Sequence, residues 1–267
     1  MKIGVLGKIT KIGTDEVVEE LLVGLSALGH ETVRFSSHKD IDGVDVVIVL
    51  GGDGAILHAA VPAAQKGVKI IGINFGNLGF LTEYEKDERE RVKDLIAALE
   101  AGLCQIVKRS LLQITIGDKC FYALNEVAIQ RDNSLISAAA TQILTVAVNA
   151  PEGVDEISGD GLLVCTPTGS TAYSLSAGGA ILTPEVPVFM MTPICAFSMR
   201  ARPIVYADTN ELTIRIKKGK SIILSDGRVI AALPENGEIH IKKAPFTADF
   251  PVKDGSDFFA RVRNKLG

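Results

Sequence analysis

Hydrophobic positions along the first hundred residues follow two periods in alternation. Lys2 to Leu6 reads as a strand. Val17, Val18, Leu21, Leu22, Leu25 and Leu28 then recur at helical spacing, with Thr14 as the N-cap, Asp15 and Glu16 in the first turn and Gly29 as the stop. Thr32 to Phe35 gives a second strand. Val44 to Leu50 (VDVVIVL) is so nearly continuous in apolar residues that it belongs in a parallel sheet covered on both faces. A helix over Ala55 to Gln65, interrupted or kinked near Pro62, leads to another buried strand at Lys69 to Ile73. An amphipathic helix follows over Glu88 to Glu100, with Val92, Leu95, Ile96 and Leu99 inward. This rhythm predicts an α/β N-terminal domain, doubly wound around a mostly parallel sheet.

After Gly102 the helical period gives way to strand-sized runs. They fall at Leu111 to Ile116, Cys120 to Gln130 beyond a Gly117-Asp118 turn, Gln142 to Val148, Leu162 to Cys165 and Val188 to Cys195, then Leu212 to Ile216, Ile222 to Leu224, Val229 to Leu233 and Glu238 to Ile241. A mostly-β C-terminal domain is the expectation. The boundary reads near Ala101 to Val107, unmarked by any Pro/Ser-rich linker, giving domains 1–101 and 102–250. Phe258, Phe259, Val262 and Leu266 make one face of a closing helix over Asp257 to Leu266. Such a helix needs a surface to dock on, and it is assigned to the first domain.

Composition narrows the class. In 267 residues, a hydrophobic share of 47% is ample for sizeable cores without staples. With a net charge of −4 and Lys and Arg spread through the chain, there is no basic stripe to track a nucleic-acid backbone, so nucleic acid is not an expected partner. Cys104, Cys120, Cys165 and Cys195 stand far apart and read as small buried hydrophobes in a reducing compartment. His30, His38, His58 and His240 show no zinc-ligand spacing. The opening MKIGVLGKIT lacks a signal-peptide pattern and no apolar run approaches bilayer length, which points to the cytoplasm and away from membranes.

Three segments carry candidate chemistry. Gly51-Gly52-Asp53-Gly54 sits where a buried parallel strand ends and a helix begins, where glycines admit a phosphate to the backbone and the helix offers unpaired amides. An acid is out of place in a phosphate turn unless it takes a proton or meets a magnesium-bound phosphate; otherwise Asp53 simply caps the helix. Ser158 to Ala180 (SGDGLLVCTPTGSTAYSLSAGGA) sets Asp160 between glycines and then six Ser or Thr hydroxyls beside Tyr173, a surface suited to a ligand with many hydroxyls and phosphates, or a solvated loop before a capped helix. Asn125-Glu126, within the strand pattern Tyr122 to Ile129, places an amide and a carboxylate on opposite faces, suited to an adenine edge and a ribose diol or to purely structural roles. Between them Gly72 to Leu81 (GINFGNLGFL) leaves a strand, with Phe80 offering apolar surface to a base.

Taken in order, these segments resemble the NAD kinase family. The likeness covers most of the chain and is densest over Val49 to Leu81 and Gly159 to Pro184. GGDG alone is shared with diacylglycerol and sphingosine kinases and with phosphofructokinases; the longer Ser/Thr/Gly motif is far more specific. The resemblance implies a nucleotide-binding α/β domain joined to a β-rich domain, assembly as a homodimer or homotetramer, and transfer of a phosphoryl group from ATP or polyphosphate to the 2′-hydroxyl of the adenosine ribose of NAD. It implies Mg2+ carried with the donor and no protein-built metal site. Asp53 would be the general base, with Gly54 beside it and His58 near the phosphates. Asn125 and Glu126 would hold the adenosine, and Asp160 with Thr171, Ala172, Tyr173, Ser174, Leu175 and Ser176 would line the dinucleotide site. Ala55 stands where many relatives have Thr, Ser158 where a basic residue often precedes Gly-Asp-Gly, and Ala196-Phe197 where Pro-His is commoner.

Two alternatives compete. A lipid kinase would share GGDG, but no membrane-facing amphipathic helix or basic tract is visible. A catalytically silent dinucleotide-binding protein would keep the pocket and lose the base, against which Asp53 stands. No G-x-G-x-x-G occurs, and Gly219-Lys220-Ser221 lacks the first Walker glycine, since Ile214 holds that position.

Overall fold

The computed structural model describes residues 1–7, 14–76, 79–132, 143–151 and 153–266, apart from the side chains at 14, 153 and 154. The capping role expected of Thr14, the Asn77-Leu78 part of the glycine-rich segment and the start of the strand at Gln142 lie outside it. The chain forms two compact units, Met1–Arg109 with Phe246–Gly267, and Ser110–Pro245.

In the first unit, strands β1 (Lys2–Gly7), β2 (Glu31–Phe35), β3 (Val46–Leu50), β4 (Lys69–Asn74) and β5 (Tyr84–Glu85) pair in parallel in the order β2-β1-β3-β4-β5. Helices α1 (Thr14–Ala27), α2 (Asp53–Gln65) and α3 (Val92–Glu100) cover it. Val17, Val18, Leu21 and Leu25 of α1 and Val92, Leu95 and Ile96 of α3 share one core with Ile3, Val46, Ile48 and Ile71. The alternating side chains of β3 need a second cover, which explains its five buried residues. That cover is α2, whose Ile56 and alanines are buried and whose Ile56 side chain reaches Gly72 of β4. The switch in strand order lies between β1 and β3, where ligands gather in such sheets.

The second unit is a stack of two antiparallel sheets. Its strands are β6 (Gln105–Ile116), β7 (Lys119–Ala123), β8 (Glu126–Arg131), β9 (Leu144–Ala150), β10 (Gly153–Gly159), β11 (Gly161–Cys165), a short helix α4 (Tyr173–Ser176), then β12 (Val188–Ile194), β13 (Ile204–Ala207), β14 (Leu212–Lys218), β15 (Ser221–Ser225), β16 (Arg228–Leu233) and β17 (Glu238–Val252). The sheets run β10-β9-β14-β17-β6-β7 and β13-β12-β11-β8-β15-β16. Alternate residues such as Ile114, Val146 and Ile214 from the first meet Val127, Leu162, Val164 and Phe189 from the second in one core. A terminal helix α5 (Phe258–Leu266) belongs to the first unit.

The units divide at Arg109/Ser110 and rejoin at Pro245/Phe246, against the 1–101 and 102–250 read from the sequence. Both crossings fall inside long strands, β6 and β17, so composition carries no mark of them. The single strand expected over Cys120 to Gln130 is two, β7 and β8, and β10 and β13 were not expected. Their alternation is weak: β10 reads GVDEISG, and β13 is exposed along an edge. Cys165 is buried and Cys104 half-buried, but Cys120 and Cys195 are exposed, a correction to their reading as core residues. Cys120 sits beside the turn of the β6–β7 hairpin and Cys195 just past β12, where apolar neighbours in sequence do not imply burial.

Candidate active site

Strand β3 ends at Leu50 and α2 begins at once, with Gly52 as its N-cap and Asp53 as its first residue. A Cβ on Gly52 or Gly54 would meet no atom within 4 Å, so this backbone faces open space of the kind a phosphate needs beside helix amides. Asp53 does not act as a helix cap. Its carboxylate crosses to the segment after β4, where Phe80 N–H donates to Oδ2 and Leu81 N–H to Oδ1, each at 2.9 Å. Gly79 makes this possible, because a Cβ there would stand 2.2 Å from Asp53 Oδ1. Lys265 Nζ adds a third donor, 3.3 Å from Oδ2. A carboxylate has about four lone-pair sites, so these three donors leave it able to accept one more proton donor.

One expectation about the neighbours changes. Phe80 presents no ring to a ligand base; it is buried, with Phe258 at 6.5 Å between centroids and the Lys265 ammonium 4.2 Å from its own. What it gives the site is its backbone N–H. His58 lines a cavity of about 130 Å3 at the carboxyl ends of β1 and β3, together with Ser36, Ser37, Ala55 and His38, whose ring lies 5.6 Å from that of His58.

The second unit gathers the remaining candidates around β8 and β11. Asn125 precedes β8 in a break, so the opposite-face geometry of a continuous strand does not apply, and both Asn125 and Glu126 are buried. The break is held by Asp226 from the β15–β16 turn. Its Oδ2 accepts from Leu124 N–H (2.8 Å), and its Oδ1 from Asn125 N–H (2.8 Å) and Glu126 N–H (3.1 Å). Asp226 and Gly227 both have positive φ, as a two-residue hairpin turn requires.

Glu126 Oε2 is buried without a hydrogen-bond partner. Burial, and then the charge of Asp226, push the Glu126 carboxyl up to about 8. Burial also raises Asp226, against the pull of its three N–H donors and of Arg228. The folded protein therefore keeps a proton on Glu126 between its ordinary 4.5 and about 8, where the unfolded chain has released it. The stabilisation is fully present below 4.5 and is lost as pH rises through about 8. Urea denaturation between about pH 6 and pH 8.5 should show stability falling as pH rises, and Glu126→Gln should flatten that fall; an unchanged slope in the variant would place the titration elsewhere.

The Ser/Thr/Gly segment is tied both to the break before β8 and to itself. Thr166 Oγ1 donates to Leu124 O (2.6 Å), Thr166 N–H to Asn125 O (2.9 Å) and Ser170 Oγ to Pro167 O (2.6 Å). Gly169 lies so close that a Cβ would be 2.1 Å from Asn125 O. Among the expected lining residues, Ser174 is a core group, fully buried and hydrogen-bonded to Thr192 Oγ1 at 2.9 Å. Tyr173 and Ser176 are exposed, Thr171, Ala172 and Leu175 half-buried, and Gln130 Nε2 donates to Tyr173 OH at 3.1 Å. Asp160 has a cation although Ser158 precedes it, because Arg131 on neighbouring β8 stands 3.2 Å away. Sequence reading missed Asp226, Arg131 and Lys265. The Asp226-Gly227 pair between two strand runs was a turn signal, but nothing local shows which amides its carboxylate serves.

Matches to known proteins cover both units. Residues 8–103 match the ATP-NAD kinase N-terminal domain and residues 124–251 the ATP-NAD kinase C-terminal domain. An NAD kinase of Carboxydothermus hydrogenoformans is 39% identical over 231 residues, covering 84% of this chain and 79% of that protein. One from Methanothermobacter thermautotrophicus is 36% identical, covering 83% and 76%. The structure of an Archaeoglobus fulgidus NAD kinase in complex with ATP superposes with a TM-score of 0.78 at 27% identity, covering all of this chain and 98% of that one. The fold is also that of yeast NADH kinase complexed with NADH, with a TM-score of 0.87 at 23% identity, covering 100% of this chain and 87% of that one. With both domains matched in order along most of its length and relatives well above 30% identity, the chain belongs to the NAD kinase family.

Proposed function

We propose that the chain transfers the terminal phosphoryl group of ATP to the 2′-hydroxyl of the adenosine ribose of NAD, giving NADP, with Asp53 as the base. The observation that carries this reading is the Asp53 carboxylate. It is fixed at the open amino end of α2 by the Phe80 and Leu81 amides, with acceptor capacity left over. The hydroxyl oxygen forms the new bond to phosphorus as the bond to the β-phosphate oxygen breaks. The hydroxyl proton passes to Asp53 and ADP leaves. Glu126, with its unpartnered Oε2, and Asn125 take the adenosine, with exposed Tyr173 and Ser176 and the half-buried Asp160, Thr171, Ala172 and Leu175 along the dinucleotide. Gly54 and His58 serve the donor phosphates.

Mg2+ enters with the donor. Among the described residues no three His, Cys, Asp or Glu side chains gather to hold a metal, and magnesium is commonly held by one or two carboxylates plus substrate phosphates. Bound there, it would neutralise charge on the transferring group. The reading includes a homo-oligomer, supported by exposed Phe197, Met199, Ile204 and Val205. It also includes a cytoplasmic location, supported by four free cysteines; among the described residues no helix is long and apolar enough to cross a membrane.

Purified protein given NAD, Mg2+ and either ATP or polyphosphate is expected to form NADP. Parallel reactions offering diacylglycerol or sphingosine as acceptor should stay blank. Phosphorylated lipid without NADP would refute the reading.

A further inference from the structure

We infer that Lys265, near the end of the chain, is a positioning residue for Asp53: its ammonium holds the carboxylate oriented for the attacking hydroxyl. This rests on the reading of Asp53 as the base, and the geometry lies wholly within the first unit.

Helix α5 presents Phe258, Arg261 and Lys265 at spacings of three and four, which is one face. That face follows the Phe80–Glu83 segment residue by residue. The Phe258 ring packs near that of Phe80. Arg261 donates to Phe80 O at 3.3 Å and Thr82 O at 3.0 Å, and it pairs with buried Glu83 and with Ser256 Oγ at 2.7 Å. Glu83 Oε1 in turn accepts from Lys253 N–H at 3.0 Å, anchoring the strand that leads into the helix. These ties leave Lys265 one turn further on, where its ammonium lies over the Phe80 ring at 4.2 Å and reaches Asp53 Oδ2 at 3.3 Å.

Phe80 thus joins the two partners. Its N–H holds Asp53 Oδ2 while its ring seats the cation that holds the same oxygen. Arg109 also feels Asp53: burial, and then the charge of Arg261, lower its guanidinium to about 10, against the pull of Asp53 and Glu83. Arg109 is fixed in the core. Lys265, about one-third exposed at its side chain, supplies the adjustable contact. With Oδ2 taken by Phe80 N–H and Lys265, the unused lone pair falls on Oδ1, which has Leu81 N–H as its one donor among the described bonds. A base needs this: a fixed orientation and a lone pair left on one oxygen.

The test compares Lys265→Met, Lys265→Arg and Asp53→Asn in the full-length protein, reading kcat, KM for NAD and the melting temperature. Lys265→Met is expected to lose on the order of 10- to 100-fold in kcat with KM for NAD within about twofold, and Lys265→Arg to restore most of that loss. The melting temperature should move little, since the pair is partly exposed. If Asp53→Asn is inactive while Lys265→Met turns over like the native protein, the role of Lys265 is wrong and that of Asp53 stands. If both Lys265 variants lose kcat equally and melt early, the side chain merely docks the helix and the inference falls. Normal turnover by Asp53→Asn would overturn both.

Discussion

Asp53→Asn is expected to lower kcat for NADP formation by roughly a thousandfold or more while the Kd for NAD stays within a few-fold of the native value. The size follows from two losses at once. An amide cannot accept the hydroxyl proton, and it cannot reproduce the cradle. One carboxylate oxygen accepts from Leu81 N–H and the other from Phe80 N–H and Lys265. Asparagine has a single acceptor oxygen, so its NH2 must face one of those donors. NAD affinity is preserved because the groups proposed for the adenosine, Asn125 and Glu126, belong to the other unit. Calorimetric titration with NAD beside a turnover assay checks both halves. Turnover within tenfold of native would remove Asp53 from the chemistry, whereas equal losses of binding and turnover would mean that the substitution acts through folding.

The second large effect is expected at a residue outside the proposed binding set. Asp226 serves three backbone amides in the break before β8, and these place Asn125 and Glu126. Asp226→Ala leaves three donors without their acceptor, at about 1–3 kcal/mol each where they remain buried. Asp226→Asn still serves Asn125 and Glu126 through its oxygen but turns its NH2 against Leu124 N–H. Stability should fall by roughly 2–4 kcal/mol for the asparagine variant and further for alanine, measured by urea denaturation. KM for NAD should rise about tenfold or more in either, since an amide and a carboxylate that bind a ligand must be held to a fraction of an ångström. A stable Asp226→Ala protein with native KM would show that the break is held by other means, such as the Thr166 bonds to Leu124 O and Asn125 O.

The first unit was the more legible because its signals are local. Val46–Leu50 must be buried on both faces, and a helix opening directly after GGDG follows from the residues themselves. Asp53 stood out for a chemical reason: an acid among phosphate-binding glycines demands a purpose. Phe80 was misread because its apolar side chain suggested a ligand platform, whereas the helix that buries it arrives from the far end of the chain. In the second unit the Asn125-Glu126 pair was visible but its geometry was not. A strand pattern runs straight through Leu124, and the break depends on Asp226, about a hundred residues away. The hydroxyls from Thr166 to Ser176 looked alike in sequence. Burial sorted them into tethers such as Thr166, Ser170 and Ser174 and an outward set such as Ser176.

Sequence by itself determined the succession of α/β and β-rich halves, the strand that delivers GGDG and the identity of the proposed base, because periodicity and residue chemistry are properties of short stretches. Tertiary structure alone decided how that base is held, which acid fixes the Asn-Glu break and that Lys265 faces Asp53. Hydrogen bonds and ion pairs reach only a few ångströms, and the groups joined here lie from 27 to 212 positions apart along the chain, a separation over which no local pattern carries information.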